Sequence, residues 1–380
     1  MTPSPERTAQ PHVLVYTWMD PENPRSGGDV RYISELCSRL SRDGARVSWI
    51  ASRFPGAPSA STYHGFEIYR LGNLYSVFFA HLVSRRVRGL RSADFVLETV
   101  SSIPFFVRTR PSDRRAIVIQ HVVPFSQMWS KVGPMAIVVY LIDRFITPAF
   151  YRDYLVLVPS QATEREVRAM GYRNVRRIML GADPISWSEN HKEPFVVAPG
   201  PVKPWKHHDH IIRAFSRVPG KWRLVIFGSY ETPALEHSLR QLVRECGLEG
   251  RVDLLGHVDE ETRINLLRRS SICAVASEKE GWGLVAMEAQ AAGSPVVGYD
   301  VVGLNEAVQS GRTGLLVPFG DWRALGEAMS QLAQDLKLRE QLGTEGAQRA
   351  RERDWESCYL DFRRQFPMEI GVGGAFGLIE

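Results

Sequence analysis

Cysteine is scarce. The 380 residues contain four, Cys37, Cys246, Cys273 and Cys358. None belongs to a C-x-x-C pair or stands at zinc-ligand spacing from histidine, so a disulfide framework and a metal-stapled fold are excluded, and a reducing cytoplasm is the expected compartment. No apolar run approaches the roughly 18 residues of a membrane-spanning helix. Met1 to Pro11 is polar and proline-bearing and lacks the apolar core of a secretory signal. Charge of one sign is not in large excess: 47 Lys+Arg against 42 Asp+Glu leave +5. Nucleic-acid binders cluster basic residues far more strongly. The mild balance suits an anionic small molecule or an acidic membrane surface better. No G-x-G-x-x-G directly follows the first apolar strand, which argues against a nicotinamide-dependent dehydrogenase.

What is present is ordinary globular material, 44% hydrophobic and 23% charged. The length exceeds one typical domain of about 100–200 residues. His12–Thr17 reads as a buried strand, followed by a Pro-, Asn- and Gly-bearing loop, a helix over Val30–Arg42 and a strand over Arg46–Ile50. That order opens a parallel, doubly wound sheet. Short apolar strands continue at Phe66–Arg70, Asp94–Glu98, Ala116–Gln120, Tyr154–Val158 and Arg176–Leu180. The rhythm restarts at Phe195. The expected organisation is an α/β chain of two Rossmann-like domains facing each other across a cleft. The first spans 1–183, a polar linker 184–194 and the second 195–353. A helix over 354–366 packs back on the first domain, and the Gly-rich tail 367–380 is loose.

The most informative segment is Ser277–Ala289, SEKEGWGLVAMEA. It leaves a strand through a Gly-containing loop and enters a helix, whose N-terminal N–H groups and dipole attract anions. Glu288 interrupts an apolar helix between Met287 and Ala289, a costly place for a carboxylate that is neither hydrogen-bonded nor used. Glu280 stands at the helix entrance. Read singly, Glu280 could stabilise the helix start and Glu288 could face solvent. Together with Gly281, Gly283 and the following AAGSPVV they point to two grips on one extended ligand.

The segment resembles the E-x7-E signature of retaining glycosyltransferases of family 4, which adopt the GT-B fold. The resemblance extends over about residues 12–360 through Gly27-Gly28, Val158-Pro159-Ser160, Gly181-Ala182-Asp183, Leu255-Gly256-His257-Val258 and the stretch Gly311–Val317. It implies that Glu288 binds the ribose hydroxyls of a nucleoside-diphosphate sugar and Glu280 the hydroxyls of its sugar. The backbone of Trp282, Gly283, Leu284 and Val285 then holds donor oxygens, and His257 lies on the donor side. Gly27 and Gly28 approach the diphosphate or the acceptor, His121 touches the sugar near the reacting carbon, and Lys206 neutralises the leaving diphosphate. The pattern departs at Pro201, where the family carries an arginine, and Lys203 is the candidate for the missing charge. Glu98, ending a strand, is a candidate on the acceptor side. The implied reaction is metal-independent sugar transfer with retention, assisted by the leaving diphosphate, and it needs no cofactor. His207, His208 and His210 are read as a solvated helix start and not as a metal site.

The alternatives are a sugar-nucleotide-binding protein with impaired turnover, favoured by Pro201, and a GT-B enzyme of another type such as an epimerase. Asn73–Arg91 and Met135–Tyr151 are apolar with basic residues. Both could face a core or touch the inner face of a membrane as a peripheral contact. An acceptor sugar, a lipid-linked saccharide and a small natural product all remain open as acceptors.

Overall fold

In the computed structural model the described residues are 10–80, 82, 90, 93–107, 114–188 and 192–365. Most of the basic end of the 73–91 stretch, the leader before residue 10, part of the 184–194 linker and the 367–380 tail lie outside them. The chain divides into two compact units. One comprises Met1–Pro159, Thr163–Ile178 and Tyr359–Glu380, and the other Ser160–Ala162 and Met179–Cys358.

The first unit is built on eight strands: β1 (His12–Tyr16), β2 (Arg46–Ala51), β3 (Ala60–Tyr63), β4 (Phe66–Arg70), β5 (Phe95–Thr99), β6 (Arg114–Val118), β7 (Leu155–Val158) and β8 (Val175–Arg177). Their order is β3-β4-β2-β1-β5-β6-β7-β8, and only β3 runs antiparallel to its neighbour. Helix α1 (Gly28–Arg42) crosses from β1 to β2 and buries Ile33, Leu36, Cys37 and Leu40 at helical spacing. β1 is buried at every position, as expected of a parallel strand covered on both faces. The sequence reading missed β3, an exposed, polar edge strand. It also placed the sixth strand at Ala116–Gln120, whereas pairing with β5 and β7 fixes it at Arg114–Val118.

The loop after β1 is pinned from below. Arg70 is 1% exposed and Asp20 is fully buried. Their fork-to-carboxylate contacts are 2.8 Å and 3.0 Å, and Glu22 accepts from the same guanidinium at 2.7 Å. Breaking a buried pair by removing one partner costs about 3–5 kcal/mol, so this clamp holds the segment that leads to Gly27.

The second unit carries β9 (Glu193–Pro199), β10 (Arg223–Phe227), β11 (Val252–Gly256), β12 (Ser270–Val275), β13 (Val296–Tyr299) and β14 (Gly314–Val317), all parallel, in the order β11-β10-β9-β12-β13-β14. β9 begins at Glu193, within the stretch read as linker, because Arg269 holds the Glu193 carboxylate at 2.6 Å and 2.8 Å. Successive strands are laid to one side of β9 until the chain returns to place β12 on the other. Ligands of such sheets bind at that reversal, beyond the carboxyl ends of the strands. In this unit the loops at the reversal follow β9 and β12, and they carry Lys206 and Glu280. The final helix, Trp355–Gln365, crosses between the units in sequence, and Tyr359 donates its hydroxyl to Asp43 of the first at 2.6 Å.

Candidate active site

The loop after β9 runs from Gly200 through a 3-10 turn at Pro204–Lys206 into the helix His208–Phe215. It lies against the loop after β10. Gly200 N–H donates to Phe227 at 3.0 Å and Val202 N–H to Ser229 at 2.9 Å. A Cβ on Gly228, whose φ is +138°, would stand 2.0 Å from the Gly200 carbonyl oxygen, so only glycine permits this approach. Trp205 carbonyl accepts from Glu278 N–H at 2.9 Å, which ties the Lys206 loop to the loop after β12. Glu280 N–H donates to Val302 at 3.0 Å, and Gly303 packs its α-carbon against the Glu280 carbonyl.

These backbone bonds bring Lys206 and Glu280 together. Lys206 Nζ donates to Glu280 Oε1 at 2.5 Å, and Ser277 Oγ donates to the same oxygen at 2.6 Å. The two side chains are 23% and 16% exposed, so the pair is partly desolvated yet open on one side. Lys203 lies over the Trp205 ring at 5.4 Å, in a loop where Pro201 offers no charge.

The helix that follows, Leu284–Ala291, starts on Gly283 in the left-handed region, with φ +82°. It has no side-chain cap and no acid in its first turn. The helices starting at Pro233, Glu260, Trp322 and Leu336 are capped by Thr232, Asp259, Asp321 and Asp335 respectively. An uncapped helix start presents N–H groups and a positive dipole end to an anion. Trp282, 3% exposed, stands just before it, and its indole N–H has no partner among the described residues.

Glu288 lies on this helix about 6 Å along the axis from its start and is 6% exposed. Its Oε2 accepts from Arg263 Nη1 at 2.7 Å. Arg263 projects from the helix Glu260–Arg269, and its Nε and Nη2 grip both oxygens of Glu260 at 2.7 Å. Burial acts to lower the Arg263 pKa, but the hydrogen bonds it donates to Glu260 and the charges of Glu288, Glu260 and Asp183 outweigh it, so the net shift is upward. The sequence reading missed Arg263. Its only signal was Glu260 three positions earlier, which reads as an ordinary surface pair. His257 is exposed at the end of β11.

The remaining sequence candidates lie in the first unit. Gly27 caps α1 without a side chain, and Gly28 opens that helix. His121 is partly buried beyond the carboxyl end of β6, next to Gln120, whose side-chain amide donates to the Asp29 carbonyl at 3.0 Å. Glu98 is 2% exposed at the end of β5. Its carboxylate accepts from Tyr151 Oη at 2.7 Å and 2.8 Å and from Phe105 N–H at 2.5 Å. Burial pushes its carboxyl up to about 7, against the opposing pull of these donors and of Arg115.

Among the described residues one group could ligate a metal: His207, Asp209 and His210, whose ligand atoms all lie within 4.8 Å of one another. His210 Nδ1 is 2.8 Å from Tyr299 Oη. His208 points inward, and burial, followed by the charges of Lys206 and His207, drives its pKa down to about 3.

Residues 182–349 match the family described as Glycosyl transferases group 1. The matched segment contains Lys206, Arg263, Glu280 and Glu288. A D-inositol 3-phosphate glycosyltransferase of Nocardia farcinica is 33% identical over 211 residues, 54% of this chain and 45% of the relative. The chain aligns with less than half the length of the first curated relatives, 45%, 20% and 39%. Among solved structures, sucrose-phosphate synthase of Thermosynechococcus elongatus superposes with a TM-score of 0.78 at 21% identity, covering 93% of this chain and 98% of that one. Anabaena HepE, crystallised with UDP-glucose, gives 0.72 at 17%, covering 93% and 98%. The fold is GT-B, with two parallel-sheet α/β domains.

Proposed function

We propose that the protein is a glycosyltransferase that moves a sugar from a nucleoside-diphosphate donor to an acceptor hydroxyl with retention and without a metal. The observation that carries this reading is the placement of Lys206–Glu280 and Arg263–Glu288 on either side of an uncapped helix start, within a group 1 domain. Glu288, steadied by Arg263, takes the ribose hydroxyls. The diphosphate lies at the N–H groups of Leu284 and Val285. Glu280 turns to the sugar hydroxyls and releases Lys206 to a phosphate oxygen.

As the bond from C1 to the phosphate oxygen breaks, negative charge grows on the departing diphosphate, and Lys206 stabilises it where it develops. The acceptor oxygen bonds to C1 on the same face, and its proton passes to the leaving phosphate oxygen. The chain supplies position and charge, with no covalent sugar intermediate on either glutamate. The acceptor is a sugar, a sugar phosphate or a lipid-linked saccharide. Pro201, in place of a second cation, favours one other reading, a sugar-nucleotide binder with weak turnover.

The test is release of nucleoside diphosphate from UDP-, GDP- and ADP-sugars, with and without D-inositol 3-phosphate as trial acceptor. Lys206→Ala and Glu280→Gln are expected to lower turnover by about 10²–10³. Release unaffected by either substitution overturns the assignment of roles. Donor binding without release by the unsubstituted chain selects the binder.

A further inference from the structure

Three loops meet at the carboxyl end of the second unit's sheet. The one after β9 carries His207, Asp209 and His210, the end of β13 supplies Tyr299, and Phe319 follows β14 by two residues. His207 closes the 3-10 turn Pro204–Lys206 in the left-handed region, with φ +46° and ψ +48°, and the helix His208–Phe215 starts from it. That conformation is uncommon for a residue with a side chain. It sets His207 outside the helical register, and its ring stacks on that of His210, with centroids 4.6 Å and planes 21° apart. Phe319 meets His207 edge-on at 5.6 Å, and Tyr299 meets Phe319 at 5.4 Å and His210 at 5.9 Å. The two imidazoles are thus held in a packed aromatic group, which the sequence reading of a solvated helix start does not describe.

We propose that His207, Asp209 and His210 bind a transition-metal dication of the zinc class. Their ligand atoms all lie within 4.8 Å of one another. Asp209 places one carboxylate oxygen 4.0 Å from His207 Nδ1 and the other 3.8 Å from His210 Nε2. Both separations exceed a hydrogen bond. Ligand atoms about 2.0–2.2 Å from a tetrahedral zinc stand about 3.3 Å from each other, so an ion would draw these together by about 0.5–1.5 Å. The Asp209 side chain is 46% exposed and can make most of that movement without disturbing the core. The outer contacts fit as well. His210 Nδ1 lies 2.8 Å from Tyr299 Oη, which leaves Nε2 as the nitrogen turned to the carboxylate. A ligating histidine characteristically donates its other ring N–H to an oxygen, which fixes both tautomer and ring orientation. A helix start asks for an acidic residue in its first turn, which Asp209 supplies, but not for two imidazoles converging on that carboxylate. Two nitrogens and an oxygen suit Zn²⁺ and its neighbours in the first transition row, whereas Mg²⁺ and Ca²⁺ take oxygen ligands. Three protein ligands leave a fourth position to water or a solute anion. The ion would staple the turn that carries Lys206 to the helix behind it. The sugar transfer proposed above does not use it, and the site stands whether or not the chain transfers sugar.

The experiment is calorimetric titration of the full chain, without a histidine tag and stripped of metal by EDTA and dialysis, with zinc chloride and with magnesium chloride. One equivalent of Zn²⁺ is expected to bind with a dissociation constant on the order of 1 μM and to raise the thermal midpoint, and Mg²⁺ is expected to give no heat. His207→Asn, which tolerates the left-handed turn, and Asp209→Ala are each expected to weaken Zn²⁺ binding about tenfold or more, as is Tyr299→Phe through the orientation of His210. His237→Ala, at an exposed histidine on the helix Pro233–Glu245, should leave binding unchanged. Thermal midpoints in EDTA equal to that of the unsubstituted chain show that the variants fold. Zinc binding no tighter than about 1 mM, equal binding by His207→Asn and Asp209→Ala, equal affinity for Mg²⁺, or loss of binding with His237→Ala would each overturn the proposal.

Discussion

Glu98 in the first unit and Glu288 in the second are buried to a similar degree, 2% and 6% exposed, yet they are held differently. Glu98 sits among neutral donors, the Tyr151 hydroxyl and the Phe105 N–H, with a carboxyl pushed up to about 7 by burial. Glu288 meets a guanidinium that is itself gripped by Glu260. Neutral donors let a carboxyl take up a proton without stranding a charge, which is how a core absorbs one. A guanidinium fixes the carboxylate in place and compensates its charge. The same residue type, at a similar depth, is thus held by neutral donors in one unit and by a cation in the other.

The sharpest way to break that contrast is Arg263→Met. It leaves Glu288 buried without its cation and should destabilise the second unit by about 3–5 kcal/mol. Adding Glu288→Gln should recover part of that loss, read by denaturant unfolding. If Arg263→Met costs less than about 1 kcal/mol, Glu288 is not held as described.

The pH dependence should then run in opposite directions in the two units. His208 has a folded pKa near 3, below its ordinary 6.5, because of burial and the cations Lys206 and His207. The unfolded chain binds its proton first, so the second unit should lose up to about 4 kcal/mol as pH falls from 6.5 to 3. Glu98 has a folded pKa near 7, above its ordinary 4.5. The folded state binds that proton more tightly, so its contribution is full below pH 4.5. The first unit should then lose up to about 3 kcal/mol as pH rises to 7. Glu98→Gln should flatten the second slope and leave the first, as followed by thermal unfolding across pH. A slope unchanged in the variant would show that Glu98 is not its source.

Much of the fold was legible because local and global signals agree. The helix Glu260–Arg269 shows the agreement: Asp259 caps it, Glu260 and Glu261 suit its first turn, and Arg268 and Arg269 suit its last. Alternation of apolar strands and helices sufficed for the sheet class. β3 was not legible, because Ala60–Tyr63 is a half-exposed edge whose main signal is the His64-Gly65 turn. Nor was the exposure of Trp129, Ile137 and Phe145, since an apolar run does not state which side the rest of the chain covers. Glu280 and Glu288 could be singled out, but their partners could not. Lys206 meets Glu280 across 74 positions and Arg263 meets Glu288 across 25, contacts that only the sheet order brings about.

The smallest expected effects belong to exposed pairs in either unit. Removing Arg46, which meets Glu67 at 3.2 Å, or Arg223, which meets Asp253 at 2.5 Å, should shift stability by no more than about 0.5–1 kcal/mol. A larger change at either would blur the distinction between buried and surface pairs on which the comparison rests.

The central claim is that the second unit grips a nucleoside-diphosphate sugar with Glu288 at the ribose and Lys206 at the diphosphate. Calorimetric titration of the full chain with UDP-glucose, GDP-mannose and ADP-glucose tests it most directly. At least one donor should bind, with affinity reduced about tenfold or more by Glu288→Gln and by Lys206→Ala, in keeping with roughly 1.5–3 kcal/mol for a hydrogen bond to a charged group. Absence of heat with every donor, or affinities untouched by both substitutions, would contradict it.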